Sequence, residues 1–242
     1  MGKTEKQIFG IWEELRDDFR GLIPLLFQSS VYVTEWGKEI FQGTPIPEMI
    51  MKRIDYADPP RVIASDKQKY MDGPKKAKND WNDDWFKKME IRLPEDEDAG
   101  ALPAGTEIPM AGCYCPAEHT VVLYPVWERN PDEATIVHEL FHAFHYSVMH
   151  ESAAWHSARG NNVRIVRESL ADYYTYMWCL KKGRFEEADR LIASWYRYRH
   201  TDWPYRYALY FLKDGTGEGF RKTLVYSSTF PAVDVVKSIK SL

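Results

Sequence analysis

Cysteine is scarce in this chain. Three in 242 residues are too few, and odd in number, for a disulfide framework. Cys113 and Cys115 stand two apart with no second pair, so a structural zinc knuckle is not expected, and Cys179 is expected to pack on its own helix. A reducing compartment fits this usage best. Long apolar runs are missing too. No stretch approaches the ~20 apolar residues that a membrane span needs. The opening segment MGKTEKQIFGIWEELRDDFRGLIPLLF lacks a signal-peptide core, and Lys6 stands where myristoylation wants Ser or Thr. The expectation is a cytoplasmic chain without membrane contact, or a secreted one if a leader has been removed. Charge of one sign is also lacking. The net charge is −4, and no basic run suggests a nucleic-acid groove. The lysines at 75, 76 and 78 are answered by Asp80, Asp83 and Asp84.

What is present describes a globular chain: 44% hydrophobic and 14% aromatic residues supply a sizeable core. Residues 4–28 read as an amphipathic helix and 37–53 as another, interrupted at Pro45 and Pro47. DPPRVIASD suggests a turn into a short strand. Residues 93–109 are rich in Pro, Gly and acid, the best loop or boundary in the chain. Helical patterns recur near 185–199, 204–213 and 231–240. The fold class is α+β, a small mixed sheet with a dominant helical part.

The segment TIVHELFHAF, residues 135–144, concentrates chemistry. His138 and His142 stand four apart, so on a helix both imidazoles leave one face, one turn apart. That spacing suits two ligands of one tetrahedral Zn²⁺, while Glu139, one residue round, can reach a water beside the metal. The helix is well signed. Asn130 is a good N-cap, Pro131 fits the first position, and Glu133 stands where a capping box wants it. Val137, Leu140, Phe141, Phe144 and Val148 carry it through a core. His145 lies seven residues, about 10 Å, from His138 along the axis, too far to share its ion. It reads as a structural or outer histidine, and His150 and His156 are weaker candidates still.

VRIVRESLADYYTYMW, residues 163–178, lies in a second helix expected over 162–182, capped by Asn161 or Asn162 and stopped at Gly183. Val163, Val166, Leu170, Tyr173, Tyr174 and Met177 form its apolar stripe. Glu168 and Asp172 share a face four residues apart, with small Ala171 beside them.

Together, HELFH and ESLAD resemble the gluzincin metallopeptidases, which pair H-E-x-x-H with a downstream E-x-x-A/S-D, and in outline the small minigluzincins. The resemblance spans about 110–215 and implies a zincin-like fold with an active-site helix and a mostly helical C-terminal part. With the boundary at the 93–109 segment, the chain reads as a helical region at 1–92, alone or within the same domain, and a catalytic domain at 93–242. The resemblance implies Zn²⁺ held by His138, His142 and Glu168, with Glu139 as general base and Asp172 hydrogen-bonded to a ligand histidine. The substrate implied is a peptide or protein.

Two further segments fit this resemblance. MAGCYCPAEHTVVLYP, residues 110–125, reads as strand, turn and strand. By the resemblance Gly112, Cys113, Tyr114 and Cys115 border the cleft, where substrate adds as an antiparallel strand, and Val121–Tyr124 form the inner strand. A plain hairpin with a cysteine-rich rim is the alternative. WPYRYALYFLKDGTG, residues 203–217, is similar to the Y-x-x-G segment whose tyrosine stabilises the oxyanion. Tyr205 matches that tyrosine, although Ala208 replaces the glycine, and Tyr207 or His200 are alternatives. Two other functions stay open: a regulatory peptidase of the repressor-cleaving kind, and a catalytically silent zincin fold used for binding.

Overall fold

The computed structural model describes residues 3–28, 52–64, 112–115, 118–123, 133–149, 161–200, 203–229 and 232–242. Within these the chain is mixed α+β, mostly helical, with one three-stranded sheet. The expected helix over 37–53, apart from a helical turn at 52–56, lies outside the described residues, as do the acid-rich segment 93–109, the lysines at 75, 76 and 78, and the Asn130–Pro131 cap.

Helix α1 (Lys3–Gln28) buries Ile8, Ile11, Trp12, Leu15 and Phe19, the i, i+3, i+4 stripe of an amphipathic helix, and exposes Lys6, Gln7, Asp17 and Arg20. That stripe meets α2 (Glu133–Met149), where the Phe19 ring lies 4.6 Å from Phe144 and the Trp12 ring 5.1 Å. The first helix therefore shares one hydrophobic cluster with the helix that carries the H-E-x-x-H motif. At the start of α2 the Glu133 carboxylate pairs with Arg184 and accepts from the Gln7 amide.

Helix α3 (Asn161–Lys181) is the hub, touching α2 and every helical element that follows it. It is tied to α1 by polar contacts, Trp178 Nε1 donating to Glu14 and the Tyr174 hydroxyl donating to Asp18 at 2.8 Å. Its end is a Schellman turn. Gly183, at φ 69°, donates to Leu180 O, and Arg184 N donates to Cys179 O at 2.8 Å. Helix α4 (Phe185–Arg197) packs through Ala188, Leu191, Ile192 and Trp195. The pattern expected over 204–213 divides into a 3₁₀ turn (Pro204–Tyr207) and α5 (Ala208–Asp214). Helix α6 (Glu218–Thr229) has no counterpart among the sequence expectations, and α7 (Ala232–Lys240) closes the described chain.

In the sheet, β1 (Arg61–Ala64) runs parallel to β3 (Thr120–Leu123), and β2 (Gly112–Cys115) pairs antiparallel with β3 in the register Gly112 to Leu123 and Cys115 to Thr120. The order β1-β3-β2 makes β3 the inner strand, buried along its length, and leaves β2 at an edge among the described residues. The turn between β2 and β3 is held by His119, a non-glycine residue at φ 44°. Its Nε2 donates to Asp58 O at 2.9 Å, so in the neutral ring Nδ1 accepts from the Tyr114 hydroxyl, also at 2.9 Å. No helix among the described residues is long and apolar enough to cross a membrane.

Candidate metal centre

Alternation along β2 buries Gly112 and Tyr114 and leaves Cys113 and Cys115 half-buried on the other face. Their sulfurs are 3.8 Å apart and neither is in a disulfide. The buried side of β2 lies against α2. A Cβ on Gly112 would come within 2.8 Å of Glu139 Cγ and 3.3 Å of its Oε1. Glycine here permits the close approach of strand and helix, and Glu139 is only 7% exposed as a result of this packing.

On the adjacent face of α2, His138 and His142 turn toward α3, and Glu168 of α3 turns toward them. His138 Nε2 and His142 Nε2 are 3.0 Å apart, and each is 3.3 Å from Glu168 Oε2. Three ligand atoms thus converge from two helices. Asp172, one turn after Glu168, places Oδ1 3.0 Å from His138 Nδ1. A carboxylate accepts only, so Nδ1 carries a hydrogen, and in the neutral ring Nε2 is left with its lone pair toward the cluster. His142 Nδ1 is buried with no hydrogen-bond partner among the described residues.

This donor set fits a small cation. Donors about 2.0–2.1 Å from a tetrahedral ion lie about 3.3 Å from one another, close to the 3.0 and 3.3 Å seen here. Without a metal the cluster must hold a proton instead. Burial pushes the His138 imidazole down, but hydrogen bonds to Asp172 and Glu168 outweigh it and raise His138 well above the ordinary histidine range. Burial would raise Glu168, yet the two imidazoles hold it well below the usual carboxylate range. His142 is lowered, chiefly by burial. Burial, opposed by the charge on His138 and aided by Glu168, lifts Glu139 to about 7.

A prediction follows from the proton on His138. Because its pKa is held above the ordinary histidine range, His138 keeps its proton to higher pH than a free imidazole does, and a metal must displace that proton. Binding should release about one proton per ion from this site, and apparent affinity should rise with pH until His138 titrates. Calorimetry in buffers of different ionisation enthalpy counts the protons. Metal uptake with no proton release would take His138 out of the ligand set.

Of the three candidates for an oxyanion donor, only Tyr205 stands at the cluster. Its ring is 5.9 Å from that of His138, and burial with the nearby Glu168 and Asp172 carboxylates holds its hydroxyl well above the ordinary tyrosine range. Tyr207 stacks on Tyr210, with its oxygen accepting from Arg206, and His200 is exposed. Ala208, in place of the expected glycine, is buried in the core. His145 lies outside the cluster and donates from Nε2 to Ser227 Oγ at 2.7 Å, since the Ser227 hydrogen goes to Leu224 O. His150 and His156 fall outside the described residues.

Sequence reasoning missed two residues here. Arg167 precedes Glu168, and its positive charge acts on Glu139, His142 and Tyr114. Trp195 of α4 donates from Nε1 to Asp172 Oδ2 at 2.7 Å. Neither belongs to a motif, although a tryptophan on the apolar stripe of an amphipathic helix is a signal that its N–H needs a buried acceptor. Searched against protein-family models, curated proteins and solved structures, the chain matches none.

Proposed function

We propose that this chain is a zinc metallopeptidase of gluzincin type, with a zincin-like fold. The observation that carries the reading is the convergence of His138, His142 and Glu168 within hydrogen-bonding distance of one another, with Glu139 buried beside them. When bound, zinc supplies Lewis-acid polarisation of a carbonyl and makes a water more acidic. His138, His142 and Glu168 hold it, and Asp172 orients the His138 ring through Nδ1. The Glu139 carboxylate takes a proton from the attacking water and returns it to the leaving nitrogen. Its position near 7 in the metal-free protein suits that exchange. The Tyr205 hydroxyl, kept protonated by its surroundings, donates to the developing oxyanion. An extended peptide adds to the β2 edge through main-chain hydrogen bonds at Gly112, Cys113 and Tyr114. The test is metal content of the purified protein together with cleavage-site profiling on a proteome-derived peptide library. Stoichiometric zinc without cleavage would favour a binding role.

Gly112 offers a sharper test, because it touches the base as well as the proposed substrate edge. Gly112→Ala keeps the main-chain donor but puts a methyl group where Glu139 Cγ is 2.8 Å away. Glu139 must shift, and misplacing a catalytic group by about 1 Å costs about 10²-fold. A fall in kcat of about tenfold, with zinc retained and KM little changed, is expected. A change confined to KM would mean that Gly112 serves the substrate alone.

A further inference from the structure

We propose that Trp195 is a positioning residue of the metal centre: its indole N–H fixes the Asp172 carboxylate, which in turn fixes the ring of His138. The inference rests on the reading that His138, His142 and Glu168 hold a metal, and it deepens that reading by extending the centre to a third helix.

The contacts form one line. Trp195 Nε1 on α4 donates to Asp172 Oδ2 at 2.7 Å, and Asp172 Oδ1 on α3 accepts from His138 Nδ1 at 3.0 Å. Each carboxylate oxygen therefore has its own partner, on a different helix. Two anchors define the plane of the carboxylate, whereas one would leave it free to rotate about Cβ–Cγ. A rotated carboxylate would point its oxygen away from Nδ1, and the His138 ring would then turn about its own axis and carry Nε2 off the cluster. Trp195 is suited to the task because it is fully buried, with its ring 5.6 Å from Tyr176, so its N–H cannot find water instead. His142 has no such support, since its Nδ1 lacks a partner among the described residues. Among the described residues, then, the outer support of the two imidazoles runs through His138 and Asp172 to α4.

The plainer alternative is that Asp172 merely satisfies a buried indole. The two differ in what removing one hydrogen does. Replacing Trp195 with benzothienylalanine puts sulfur in place of N–H and keeps the shape, so packing survives and only the hydrogen bond is lost. Zn²⁺ affinity by chelator competition should fall about three- to tenfold, less than the 10- to 100-fold typical of losing a direct partner of a ligand histidine. The absorption spectrum of the Co²⁺-loaded protein should change as the ligand field is disturbed. In an Asp172→Ala background the same replacement should have no further effect on affinity, because Trp195 acts only through Asp172. Trp195→Phe should follow the same cycle, with thermal unfolding measured to separate its packing cost. Unchanged affinity and Co²⁺ spectrum in the isostere, or full additivity with Asp172→Ala, would overturn the proposal. A second readout needs no metal. The ¹⁵N shifts of His138 in the metal-free protein, recorded above the pH at which the ring loses its second proton, report which nitrogen holds the remaining one, and they should move toward a mixed state in the isostere. If the wild type takes up no metal, the peptidase reading fails by itself, while unmoved ¹⁵N shifts overturn the role of Trp195 separately.

Discussion

Glu139→Gln should leave zinc near stoichiometric and lower peptide hydrolysis by at least about 10²-fold, the usual scale of losing a general base. Two observations separate Glu139 from metal binding. It is absent from the triangle of His138, His142 and Glu168, and its carboxylate packs against Gly112 of β2. Glutamine keeps that packing and removes only the ionisable group. The substitution should also alter stability in a pH-dependent way in the metal-free protein. Glu139 is raised from 4.5 to about 7 on folding, so its ionised form is disfavoured in the native state. The wild type then has the full contribution of this group below about pH 4.5 and loses it as pH rises through about 7. Thermal unfolding should find the stability of the glutamine variant, relative to wild type, improving between pH 5 and pH 8. Undiminished hydrolysis by the variant would remove Glu139 as the base. A pH-independent difference in unfolding temperature would contradict the environment described for it.

The elements that hold this centre were legible in sequence where periodicity and caps agreed. Helix α3 is expected over 162–182 and runs over Asn161–Lys181, because its apolar stripe and Gly183 mark both its face and its end. The hairpin of β2 and β3 was readable from short apolar runs around a turn. Helix α6 was not. No helical pattern was expected between 213 and 231, where Gly215 and Gly217 adopt φ 64° and 69° in a turn that leads into the helix. Asp214 accepts from Gly219 N and Thr216 from Glu218 N, supplying the start that no single residue advertised. The meeting of His138, His142 and Glu168 was expected from the resemblance of two motifs, while spacing along one helix supplied only the histidines. Trp195 lies 23 residues beyond Asp172 with no motif between them, so their bond depends on how α4 folds back on α3. Tertiary packing decides such contacts, and a single sequence does not encode them locally.

Glu168→Ala should lose most of the bound metal while the fold persists. Glu168 is the one acidic member of the triangle, and its loss leaves two imidazole nitrogens 3.0 Å apart with no anion between them. Two neutral donors from one helix make an incomplete site, so zinc affinity should fall by more than the 10- to 100-fold known for outer partners of ligands. The fold should survive because Glu168 lies at the edge of the α2–α3 packing. Leu170, Ala171 and Tyr174, buried in the shared cluster, are untouched. The same substitution makes a statement about the metal-free protein. Glu168 helps to raise His138, so its removal should bring the His138 titration down, with the bond to Asp172 still holding it up in part. Proton NMR of the imidazole resonances reads that shift directly. Glu168→Gln separates charge from shape, since the amide keeps the volume and one acceptor but carries no charge to hold the cation. If the alanine variant binds zinc as tightly as wild type, Glu168 is not a ligand. If metal is lost but the His138 titration does not move, the coupling between α3 and α2 described here is wrong.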